Sequence, residues 1–155
     1  MGIMVQYPGE IPEGYRLYVI YIANVFGNVA EKVICEEFER IAESLGSSNL
    51  IAKLLSWPGK DQAEKKFNIK VRDVRPVLIV IDRHPDKWVS LEHKMIKIQL
   101  GKLNTEEDVR NFLAKFIQYL RKEDTGGLSW QVRLERLKQV VKPLPIIIDL
   151  VSAIK

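Results

Sequence analysis

Two uninterrupted apolar runs set the frame of this chain. Val77-Leu78-Ile79-Val80-Ile81 follows Pro76 with no polar break, and Leu17-Tyr18-Val19-Ile20-Tyr21-Ile22-Ala23 carries no charge. Runs of this kind, rich in β-branched residues and lacking alternation, predict strands covered on both faces. Pro76 supplies no amide donor and so belongs at the first residue of its strand, a position where a cis bond is often found. Residues 50–55 read as another strand, with Lys53 suggesting a place near the sheet edge. Residues 95–100 alternate with period two, which predicts a half-exposed strand pairing antiparallel with its predecessor.

Helical spacing fills the gaps between these runs. Asn28 followed by Glu31 has the spacing of a capping box. Ile34, Phe38, Ile41 and Leu45 then recur on one face, and Gly46 ends the helix. Trp57-Pro58-Gly59 reads as a break before a short helix over 61–68, with Ala63 and Phe67 inward. Thr105 opens a longer helix whose stripe is Val109, Phe112, Leu113, Phe116, Ile117 and Leu120. Thr125-Gly126-Gly127 is the one clear linker. Beyond it Trp130, Leu134, Leu137 and Val141 share a face, opposite Arg133, Arg136, Lys138 and Lys142. Pro143 and Pro145 stop that helix before an apolar tail over 146–155. The expected organisation is an irregular lead-in over 1–16, one α/β domain over 17–124, and a C-terminal helical extension over 128–155.

Composition narrows the classes without naming one. The chain has 155 residues, 46% of them hydrophobic and 28% charged, as in an ordinary globular domain. No apolar run approaches the ~20 residues of a spanning helix, and residues 1–16 lack the apolar core of a signal peptide. The single cysteine, Cys35, excludes an internal disulfide and fits a reducing, cytoplasmic setting. A net charge of +4 is too small to argue for nucleic acid or membrane.

Several segments, taken in order, resemble the thioredoxin family. Residues 39–43 leading into 50–54 are similar to its first helix and second strand. Residues 63–69 resemble the segment before its cis-proline, and Val74-Arg75-Pro76-Val77-Leu78 stands where that proline and the next strand belong. Residues 95–100 and 106–120 resemble its closing strand and last helix. The resemblance covers about residues 17–122. It implies a three-layer α/β/α sandwich on a mixed four-stranded sheet of order 2-1-3-4, with a cis Arg75–Pro76 bond.

The same resemblance implies that the family's chemistry is absent. Its Cys-x-x-Cys pair opens the first helix, where the dipole lowers the thiol pKa. Here those positions are Asn28-Val29-Ala30-Glu31. The acidic residue of its first strand falls at Ile22, and the tryptophan before the first cysteine falls at Gly27. The expectation is a redox-inactive binding or assembly module with a groove formed by Asn28, Glu31, Arg75 and Pro76. An anionic ligand or acidic peptide is the candidate occupant, because a helix N-terminus and an arginine would both favour negative charge.

Other chemistry is weaker. A single-thiol oxidoreductase or peroxidase would have to use Cys35, which lies beside the Ile34/Phe38 stripe and reads as inert core. His84 and His93, with Asp86 and Glu92 nearby, match no zinc spacing and read as solvated loop histidines. No cofactor motif, nucleotide loop or catalytic triad order occurs. Six cations against three anions over 60–75 leave nucleic acid as a third reading, not favoured because a basic recognition face and exposed aromatics are missing. The expected partner is a protein or a second copy. Trp130, Leu134, Leu137, Val141, Ile147, Leu150, Val151 and Ile154 form a surface too apolar for water, expected to pack on the domain itself or on a second copy, with a homodimer preferred.

Overall fold

The structure, a computed structural model, describes residues 1–23, 28–69, 76–90, 92–122, 129–142 and 144–152. Its strands are β1 (Gly2–Val5), β2 (Leu17–Ile22), β3 (Asn49–Leu54), β4 (Val77–Ile81), β5 (Lys94–Gln99) and β6 (Ile147–Ser152). Its α-helices are α1 (Val29–Ser44), α2 (Trp57–Phe67), α3 (Glu106–Lys122) and α4 (Trp130–Val141). One mixed sheet holds all six strands in the order β1-β3-β2-β4-β5-β6. β1 and β2 run parallel to β3, which lies between them; β4 pairs antiparallel with β2, β5 with β4, and β6 with β5.

Period-two alternation along the strands sorts the side chains into two cores. On one face Leu17, Val19 and Tyr21 of β2, with Leu78, Val80, Ile96, Ile98 and Ile148, pack against α1, α3 and α4. On the other, Tyr18, Ile20 and Ile22, with Leu50, Ala52, Leu54, Val77, Ile79 and Ile81, pack under Ala63 and Phe67 of α2 and under Trp88. Every residue of β2 and β4 is buried, which is why neither strand alternates in polarity. At roughly 1.5–3 kcal/mol for each large apolar side chain, these two faces dominate the favourable side of folding.

The helix ends follow local chemistry. Asn28 caps α1, its side-chain oxygen accepting from the amides of Ala30 at 2.8 Å and Glu31 at 3.3 Å. The stripe Ile34, Phe38, Ile41 and Leu45 is buried, and Gly46 leaves the helix with φ of +86°. Thr105 Oγ1 accepts from Asp108 N at 3.1 Å at the start of α3.

Four expectations are corrected. The sheet has six strands, not four: β1 and β6 extend it on both sides, so the lead-in is not irregular. It also contains a 3-10 turn over Pro8–Glu10. α2 begins at Trp57, because Ser56 caps it and Pro58 falls in the first turn, where its missing amide donor costs nothing. The C-terminal extension is half helix and half strand, since Ile147–Ser152 completes the ladder of β5. β3 stands second from the edge, beside β1, in keeping with the place near the edge that Lys53 suggests. His84 is buried instead of solvated. Its Nδ1 accepts from Asp86 N at 3.0 Å, and its Nε2 bonds the carbonyl of Ile11, tying the loop after β4 to the segment after β1.

Candidate functional site

The carboxyl ends of β2 and β3 and the start of α1 meet at one end of the sheet. Side chains from three elements converge there, beside the central strand β2. β2 has β3 parallel on one side and β4 antiparallel on the other. The register pairs Tyr21 with Lys53, and both project to the α1 face because alternation puts them in phase.

Glu31 is the hub. Tyr21 donates its hydroxyl hydrogen bond to one carboxylate oxygen, Cys35 Sγ donates to the other at 3.0 Å, and Lys53 Nζ stands 3.5 Å away. Lys53 also donates to Cys35 Sγ at 2.6 Å. Glu31 and Cys35 are one turn apart on α1, the spacing that stacks side chains on one helix face. The reciprocal half of the expected capping box is therefore not used: Glu31 turns to Tyr21 and Lys53.

Lys60 of α2 lies at the same end of the sheet. Its ammonium donates to Ala23 O at 2.7 Å and lies 5.3 Å from the ring centre of Trp57, which is 60% exposed. No carboxylate is within ion-pair distance of Lys60 among the described residues, although Glu31, Lys53 and Cys35 are near enough to shift it electrostatically.

The proton equilibria follow from this packing. Burial pushes the Tyr21 hydroxyl far up, and the Glu31 carboxylate adds to it. Burial also raises the Cys35 thiol; Lys53 pulls it down and Glu31 pushes it up, for a net rise. For Lys53, burial alone would lower the ammonium, but Cys35 and Glu31 outweigh it and leave it raised. Lys60 is lowered, first by burial, with the Lys53 charge adding to the effect against an opposing pull from Glu31.

Asn28 and Glu31, expected in the groove, are thus brought together with Tyr21, Cys35, Lys53 and Lys60. Pro76 is buried immediately before Val77, the partner of Ile22, so it stands at the same end of the sheet; its carbonyl accepts from Leu100 N at 2.9 Å. Arg75, and with it the Arg75–Pro76 bond, lies outside the described residues. Cys35 is not core, as expected from its neighbours, but exposed. It is one residue, about 100° of helix, off the buried Ile34 stripe. Lys53 and Tyr21 were missed as site residues because each sits in an apolar run. The signal was there in the charge itself, since a lysine at an inward strand position needs an anion opposite it.

The surface expected to self-associate is largely used within the chain. Leu134, Leu137 and Val141 are buried against the sheet and α3, Trp130 and Leu150 are half-buried, and Ile147 is exposed. The side chain of Val151 and all of Ile154 lie outside the described residues. Arg133, assigned to the polar face, is instead buried, with its guanidinium 4.7 Å from the Trp130 ring centre. Among the described residues no group of three His, Cys, Asp or Glu could hold a metal, and no helix is long and apolar enough to cross a membrane.

No family model matches the chain, and no curated protein or solved structure is significantly similar to it.

Proposed function

We propose that this protein is a redox-inactive thioredoxin-like binding module that takes a carboxylate or phosphate group of its partner at the mouth formed by Asn28, Glu31, Lys53 and Lys60. The family reading is supported by the inner strand order β3-β2-β4-β5, with one parallel pairing followed by two antiparallel ones. It is further supported by α1 starting at the carboxyl end of β2, with Asn28 and Glu31 where the family's thiols belong.

One observation carries the ligand class. Among the described residues the mouth holds two ammonium groups, Lys53 and Lys60, against the one carboxylate of Glu31, and Lys60 is half-buried with a carbonyl as its partner. A half-buried cation without a counter-ion is costly, and an incoming anion relieves that cost. The dipole of α1 adds to the attraction at the same point. The thiol-enzyme alternative is disfavoured by the direction of the Cys35 shift, because a raised pKa reduces the thiolate that does the chemistry.

The test is thermal unfolding in phosphate against chloride at equal ionic strength, on the parent and on Lys60→Gln. Phosphate at ~100 times its dissociation constant stabilises the parent by roughly 2.7 kcal/mol. Loss of that increment in Lys60→Gln supports the reading. An equal increment in both chains, or none in the parent, refutes it.

A further inference from the structure

We propose that the groove between α1 and α3 is a docking surface for an acidic amphipathic helix of a partner protein, about three turns long. This surface is separate from the mouth around Lys60. Arg40, Ile41 and Ser44 line it from α1, and Arg110, Leu113, Ala114, Ile117, Gln118 and Arg121 from α3, around a volume of about 730 Å³.

Its pattern is apolar in the middle and cationic at the ends. On α3 the lining positions 110, 113, 114, 117 and 121 fall at helical spacing, so they form one stripe. Ile41 and Leu113 make a buried aliphatic floor, with Ile117 half-buried beside it. Arg110 and Arg121 bracket that floor, 11 residues and therefore ~16 Å apart along the axis. A helix of the same length laid in the groove would bring acidic residues at its two ends against these guanidinium groups, with its apolar stripe on Ile41, Leu113 and Ile117. That is the helix-in-groove mode of recognition.

Charge complementarity selects the acidic partner. Three guanidinium groups and no carboxylate line the groove; among the described residues Glu37 pairs with two of them, and Glu106 and Glu36 are near enough to act on Arg110. Glu37 holds Arg110 at 2.8 Å and Arg40 at 2.9 Å, so it orients two of the three. Arg121 is exposed and takes part in no ion pair among the described residues. Arginine keeps its charge at all relevant pH and matches carboxylates with a planar fork. Single-stranded nucleic acid would use the same charges, but it also needs aromatic or flat surfaces on which bases stack. The groove offers no aromatic ring; its apolar lining is Ile41, Leu113, Ala114 and Ile117, which fit leucine-like knobs.

The experiment uses the full chain and a labelled 18-residue peptide, blocked at both ends, with glutamates about 11 residues apart and leucines at i, i+3, i+4 and i+7 between them. Fluorescence anisotropy gives the affinity. Saturable binding is expected, weakened at least tenfold when the leucines are scrambled off one face and at least tenfold in the double variant Arg40→Glu, Arg121→Glu. Both arginines are exposed, so the unfolding temperature of that variant checks that it is folded. A peptide with lysines in place of the glutamates should bind the double variant better than it binds the parent. The proposal is overturned by no saturable binding at ~1 mM peptide, by equal binding of the scrambled peptide, or by an oligouridylate that competes for the groove with higher affinity.

Discussion

Lys53 Nζ approaches Cys35 Sγ to 2.6 Å, while the thiol itself points at the Glu31 carboxylate. The sulfur is therefore held between a cation that favours its thiolate and an anion that opposes it. Burial sides with the anion, and the thiol is raised above its ordinary value. Cys35 is exposed, yet exposure is only half of what alkylation needs.

This sets the order of reactivity among variants. At pH 8 native Cys35 should be alkylated by iodoacetamide more slowly than the same thiol in the denatured chain. Glu31→Gln removes the opposing charge and should speed the reaction; Lys53→Met should slow it. Mass spectrometry against time gives the three rates. Parent alkylation faster than the denatured control would restore the single-thiol enzyme reading.

Alkaline pH should weaken the fold. Cys35, Tyr21 and Lys53 are all raised in the folded protein, from ordinary values of 9.0, 10.0 and 10.5. A raised folded value means that its stabilising contribution is complete below the unfolded pKa and is lost as pH climbs through the folded one. Lys60 is lowered and has the opposite sign, so it offsets part of the loss. Denaturant unfolding between pH 8 and 11 should show stability falling from about pH 9 upward. Cys35→Ser should flatten the start of that fall and Tyr21→Phe its continuation above about pH 10. An unchanged slope in both variants would mean the cluster does not hold these protons.

Gly59 illustrates a packing limit that overrides helix propensity. Alanine in a helix is normally worth about 0.5–1 kcal/mol over glycine. A Cβ on Gly59, however, would lie 1.7 Å from the carbonyl oxygen of Gln6, so α2 could not stay seated beside the end of β1. Gly59→Ala should therefore destabilise by roughly 1–3 kcal/mol, the usual cost of overpacking. Urea denaturation with an unchanged or raised midpoint would show that the contact gives way freely.

Much of this architecture was legible and some was not, for identifiable reasons. The two strands buried on both faces announce themselves as apolar runs, and the caps of α1 and α3 follow from Asn28 and Thr105. β1 escaped because Gly2–Val5 is four residues long and begins with a glycine, whose missing side chain lets it sit against Ala42 of α1. β6 escaped because its apolar residues read equally well as an interface or as a strand, and periodicity cannot separate the two. Half of the site was readable from the helix start. The other half required knowing that β3 lies beside β2, which alone brings Lys53 to Glu31.

The docking of α4 in the chain's own core makes a clear demand. Leu137 is fully buried against the sheet and α3. Leu137→Ala should cost about 2–5 kcal/mol in unfolding free energy. The loss should not depend on protein concentration. A cost that grows on dilution would mean that the stripe is buried across two copies.

The central claim is that the end of the sheet around Lys60 binds an anion. The most direct measurement is a titration of the isotope-labelled chain with phosphate, followed by amide and side-chain ammonium NMR shifts. The account predicts saturable shifts concentrated at Ala23, Asn28, Ala30, Glu31, Lys53 and Lys60, abolished in Lys60→Gln. Shifts confined to other surfaces, or no saturable shift at these residues, would contradict it.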